Sequence, residues 1–113
     1  MNTEWESFDQ GATLGQAGSE NGIILRDEEH PVGARITLEK DGFQPFAITC
    51  GIYGMLMVHT TFASEEEVAF AKYEAMKSDL SKFLLMLLSS QELAGDDYYE
   101  KASNWFGEFV DRF

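Results

Sequence analysis

The stretch FQPFAITCGIYGMLMVHTTFA, residues 43–63, contains no Asp, Glu, Lys or Arg in a chain of which 25% is charged, and it stops at Ser64-Glu65-Glu66-Glu67. Its length matches a membrane span, which needs about 20 apolar residues. Its content does not: Pro45, Gly51, Gly54, His59, Thr49, Thr60 and Thr61 dilute it. β-Branched and aromatic residues (Ile48, Ile52, Tyr53, Val58, Phe62) gather around two glycines, which is the composition of a buried hairpin. A two-residue turn at Gly54-Met55 predicts strands over about 45–52 and 56–62 and sets Cys50 opposite His59. A turn at Tyr53-Gly54 sets Cys50 opposite Met57 instead. Ile48, Cys50, Ile52 and Met57 point one way, and Tyr53, Leu56, Val58 and Phe62 the other. A hairpin apolar on both sides needs two covers. Helices of the same chain supply one; the N-terminal segment or a second copy of the molecule supplies the other.

Upstream, Asp41-Gly42 has the chemistry of a tight hairpin turn. Ala34–Lys40 alternates Ala34, Ile36 and Leu38 with Arg35, Thr37 and Glu39, a half-buried antiparallel strand. Asn21-Gly22 signals a turn into a strand from Ile23 to about Glu28, which His30-Pro31 ends. Residues 11–22 hold glycines at 11, 15, 18 and 22 and read as a flexible connection. They contain neither GxGxxG nor GK[ST], and Asp9 and Glu20 repel a phosphate. Trp5 and Phe8, three apart, suit one helical turn or an edge strand docked on the core.

Downstream, Ser64 and Glu67 have capping-box spacing, and three acids suit the positive end of a helix dipole. The helix is predicted over 64–89, with Ala69, Tyr73, Met76, Leu80, Phe83 and Leu87 forming one apolar stripe. From Phe83 to Leu88 it is apolar all round. Asp96 or Asp97 caps a last helix over about 97–112, in which Tyr98, Ala102, Trp105, Phe106, Phe109 and Phe113 line up at helical spacing. The expected fold is α+β: a four-stranded antiparallel β-meander, a long helix packed across it and a shorter aromatic C-terminal helix. One domain spans 1–113: an N-terminal segment and Gly-rich loop (1–22), the meander (23–62) and the helical part (64–113).

Composition narrows the functional classes. The net charge is −12, divided evenly at −6 for residues 1–63 and −6 for 64–113. An evenly acidic surface repels phosphate backbones and argues against nucleic acid as a partner. Cys50 is the single cysteine, so no intramolecular disulfide framework exists. The first residues, Met1-Asn2-Thr3-Glu4-Trp5-Glu6, lack the basic and apolar regions of a signal peptide. A cytoplasmic protein away from membranes is expected.

Two constellations offer chemistry. Cys50 and His59, if cross-strand neighbours, form the minimum of a nucleophile and its base. Inside an apolar strand, however, a cysteine ordinarily serves as a small hydrophobe. In Asp27-Glu28-Glu29-His30, Asp27 and His30 are the candidate cation ligands, but successive residues cannot all face one ion and no metal-ligand spacing motif is present. No cofactor motif is found. The two-faced hairpin, the all-round apolar helix end and the acidity together predict a non-enzymatic protein-binding module, immunity-, inhibitor- or adaptor-like. It is expected to pair with itself as a homodimer and to engage a basic protein. The expected contact residues are Tyr98, Trp105, Phe106 and Phe109, with Glu28 and Glu29 facing the basic partner. A small-ligand or metal-binding protein or enzyme using Cys50 and His59 is the alternative.

Overall fold

The alternating and striped patterns become one antiparallel sheet and two helices. The computed structural model describes residues 4–53, 57–89 and 95–113, apart from the side chains of Met57, Asp96 and Tyr98. Strands β1 (Glu6–Ser7), β2 (Ile23–His30), β3 (Ala34–Lys40), β4 (Phe46–Ile52) and β5 (Met57–Ala63) lie side by side in chain order. Helices α1 (Glu66–Ser89) and α2 (Gly95–Arg112) follow. The fold is α+β as expected, with five strands rather than four. The additional strand is the two-residue β1, which pairs Glu6 with Glu29 and Ser7 with Glu28. Trp5 anchors it, donating from Nε1 to Ser81 Oγ at 2.9 Å and meeting the His30 ring edge-on.

β2 continues to His30, past the expected end, because the turn waits until Pro31-Val32-Gly33, where Gly33 takes φ 138°. The β3–β4 connection is a five-residue loop rather than a two-residue turn, since Lys40 pairs with Phe46. Asp41 is left-handed (φ 60°) as expected of that position, but the loop is lengthened by docking: the Phe43 N–H donates to the Glu20 carbonyl. Helix α1 begins one residue later than the capping box implies. Its first turn closes from the Ala69 N–H to the Glu65 carbonyl, which makes Glu65 the N-cap residue.

The sheet has an inner and an outer face. Ala34, Ile36, Leu38, Ile48, Cys50 and Ile52 point inward and are buried against the α1 stripe of Ala69, Tyr73, Met76, Leu80, Phe83 and Leu87, joined by Leu84. Each of the six stripe residues read from the sequence is buried. α2 closes the end of this core. Trp105 stacks on Phe83 at 4.2 Å, Phe109 is fully buried beside it, and Arg112 forms an ion pair with Asp79 of α1. Gly107 sits on the solvent side, where an added Cβ meets nothing. Among the described residues, no helix is long and apolar enough to cross a membrane.

Candidate functional site

The outer face is where the molecule leaves surface available, and its two halves are finished differently. Over β2 and the lower end of β3 the N-terminal segment folds back as a cover. After β1, Asp9 (φ 48°), Gln10 (φ 57°) and Gly11 (φ 86°) take successive left-handed conformations that turn the chain onto the sheet. Phe8 then lies over the Arg35 guanidinium at 3.6 Å. Arg35 is held by a two-pronged contact to the buried Asp27 (2.9 and 2.6 Å), and Thr13 donates to the same carboxylate at 2.8 Å. Donating to the Asp27 carboxylate raises the Arg35 pKa, so the guanidinium stays charged.

The glycine-rich loop is a folded clasp rather than a flexible connection. Gly15 and Ile24, Gln16 and Ile24, and Gly18 and Gly22 are joined by backbone hydrogen bonds, and Asn21 takes the left-handed turn conformation. The clasp closes on one side chain. Glu39, an outward residue of β3 that is 1% exposed, accepts from the Glu20 and Gly22 N–H groups through Oε1, both at 2.9 Å. Its second oxygen, Oε2, is buried with no hydrogen-bond partner among the described residues. A buried acceptor without a donor costs about 1–3 kcal/mol. Gly18 is required beside it, because a Cβ there falls 2.1 Å from Oε2.

Beyond the clasp lies a groove of about 550 Å³, within the range of small-ligand sites. Its depth follows from the register. Arg35, Gly51 and Val58 form one row across the outer face, and Thr37, Thr49 and Thr60 the next. Small side chains give a low floor between the loop wall of Ala17, Gly18 and Ser19 and the opposite wall of Tyr53 and Val58. Thr49 and Thr60 share a 3.0 Å hydroxyl contact, and Tyr53 donates to Glu29 at 2.7 Å, reaching over β3. Burial, followed by the hydrogen bond to Glu29, pushes the Tyr53 phenol up to about 12.

The residues singled out from the sequence fall in several places. Cys50 does sit opposite His59, which settles the register, while the turn residues Gly54 and Met55 lie outside the described residues. Both side chains point inward. Burial pushes the Cys50 thiol up to about 12, so it stays protonated at neutral pH, and His59 meets the edge of Phe109 rather than a substrate channel. Asp27 and His30 are on opposite faces of β2: Asp27 binds Arg35, and His30 Nδ1 accepts from the Val32 N–H. They do not converge on one ion. Among the described residues, no group of three or more His, Cys, Asp or Glu is placed to hold a metal.

Glu28 faces inward, where Tyr73 donates to it at 2.6 Å and Lys77 pairs with it at 3.0 Å, so it ties α1 to the sheet. Burial, and then this bond, raises the Tyr73 phenol far above its ordinary range. Glu29 remains on the outer face. Phe109 and Phe106 are buried in the chain's own core, and Trp105 is stacked on Phe83 and Phe109, so the aromatic stripe is packing before it is contact surface. The Tyr98 side chain lies outside the described residues.

No protein-family model, curated protein or solved structure matches the chain. The groove residues Thr37, Glu39, Thr49 and Gly51 are absent from the expected site. One signal for them exists in the sequence: the outward positions of β4 are Ala47, Thr49 and Gly51, all small where an exposed strand face has no need to be.

Proposed function

We propose that the chain is a non-enzymatic protein-binding module that pairs with a second copy of itself through β5. The observation that carries this reading is the apolar flank at the sheet's end. Val58 and Phe62 are 68% and 43% exposed on the outer face of the last strand, beyond the reach of the N-terminal cover. A strand at a sheet edge offers backbone donors and acceptors for another strand, and such edges are ordinarily blunted. Here Lys72 caps the Phe62 carbonyl at one end. Two β5 strands related by a twofold axis pair antiparallel, which places each Val58 and Phe62 beside its symmetry mate's flank. The acidic surface, at −12 overall, supports a basic protein as a further partner. The single free, buried Cys50 supports a reducing, cytoplasmic setting.

Sedimentation velocity over a range of concentrations tests this. The native chain is expected to dimerise, and the double variant Val58→Lys, Phe62→Lys to stay monomeric with unchanged far-ultraviolet circular dichroism. A native chain that is monomeric at high micromolar concentration, or a double variant that still dimerises, removes β5 as the interface.

A further inference from the structure

The geometry points to a second site: the outer-face groove binds a small primary amine, its ammonium donating to Glu39 Oε2 and its apolar body lying along the threonine floor towards Val58. Four observations converge on it. Glu39 Oε1 is already occupied by the Glu20 and Gly22 N–H groups, which fixes the carboxylate and leaves one oxygen to act as a receptor. That oxygen is buried and without a donor among the described residues. It lies against Gly18, and Gly18 and Glu39 both line the groove. Of the other charges on the outer face of β2 and β3, Arg35 and Asp27 neutralise each other in a bidentate pair and Glu29 accepts from Tyr53, so the face around Glu39 is net negative.

The ligand's shape follows from the walls. Ile24 and Val58, with the side chains of Thr37 and Thr49, line the trough, and the sheet spacing from Glu39 to Arg35 covers four residues of β3. At about 3.3 Å per residue this is roughly 13 Å, which accommodates an extended chain of six carbons with its nitrogen. A carboxylate-bearing ligand is disfavoured at the Glu39 end by repulsion. A neutral alcohol fills the trough but forgoes the charge-assisted bond, which is about twice as strong as a neutral one.

The test is a nitrogen–proton correlation NMR titration of the full chain at pH 7 and constant ionic strength. The probes are hexylamine hydrochloride, hexan-1-ol and sodium hexanoate. Expected are saturable shifts at the Gly18, Glu20, Gly22 and Thr49 amides, with hexylammonium binding at least about tenfold more tightly than hexanol and hexanoate most weakly. Glu39→Gln keeps an acceptor for the two loop N–H groups but replaces the free acceptor with a donor, so it should reduce hexylammonium binding to the hexanol level. Glu108→Gln, on the exposed side of α2, should leave binding unchanged, which separates the site from general attraction to an acidic surface. If Glu39→Gln loosens the clasp, Val58→Arg at the open side should weaken hexylammonium binding more than hexanol binding, because both lose the apolar wall and only the amine is repelled. Equal affinity for amine and alcohol, tightest binding of hexanoate, equal loss in Glu108→Gln, or the absence of saturable shifts overturns the proposal. The Glu39→Gln and Glu108→Gln outcomes do not depend on whether β5 pairs with a second copy.

Discussion

The two halves of the outer sheet face are built on the same alternating pattern and end in different states. Over β2 and β3, Ile24 is 7% exposed beneath the N-terminal cover; over β5, Val58 is 68% exposed with nothing above it among the described residues. Both are β-branched residues on an outward position. The difference is made by the anchors of the cover: Thr13 holds Asp27, the loop backbone pairs with Ile24, Glu39 captures the loop at Glu20 and Gly22, and the cover stops there. A strand pattern tells which residues share a face, whereas the contacts of a distant segment decide whether that face is interior or surface.

Truncating the two counterparts is the most direct way to break this comparison. Ile24→Ala should lower unfolding stability by about 3 kcal/mol, because it leaves a cavity beneath the cover. A loss under 1 kcal/mol in chemical denaturation would mean that the cover is not a packed layer. Next in size is Gly42→Ala. Its Cβ meets the Glu20 carbonyl oxygen at 2.3 Å, a backbone atom with little room to yield. An overpacked site of this kind costs about 2 kcal/mol, and amide exchange should speed up first in residues 18–24, where the clasp is hydrogen-bonded.

A smaller effect is expected at alkaline pH. Desolvation holds the Cys50 thiol at about 12 in the folded chain, above its ordinary 9.0. The folded value is the higher one, so this contribution is complete below about pH 9 and is lost as pH rises towards 12. Tyr53, also raised to about 12, acts in the same direction but is half exposed and contributes less. Cys50→Ala should flatten the decline of midpoint with pH in this window; an unchanged slope would place its origin elsewhere. Smallest of all is Val58→Ala, which should change monomer stability by less than about 0.5 kcal/mol. Set beside Ile24→Ala, it measures the difference between the covered and open halves, provided both are studied at concentrations where any dimer is dissociated.

The candidate site was less legible than the fold. The sequence leaves two registers open, and the structure sets Cys50 opposite His59, yet the pair is turned inward and its thiol is deactivated by the same burial that the apolar run implies. In sequence, Glu28 and Glu29 look alike, two acids facing a basic partner. Adjacent strand residues face opposite ways, so one became a latch for Tyr73 and Lys77 and the other a partner of Tyr53. The clasp on Glu39 could not be read at all, because it joins residues 17 and 19 positions apart through a side chain.

What the sequence determined by itself is the local and periodic part of this protein. Alternation made β3, the uncharged run made the β4–β5 hairpin, and the three-and-four spacing chose the buried face of α1, since each signal lies within the few residues whose geometry it governs. What the tertiary structure alone decided is where the surface lies. It added β1 at the edge, folded the glycine-rich loop over Glu39, buried Phe109, and left Val58 and Phe62 uncovered. These outcomes depend on which distant segments meet, and that is settled by competition for packing and hydrogen bonds across the whole chain rather than by any one stretch of it.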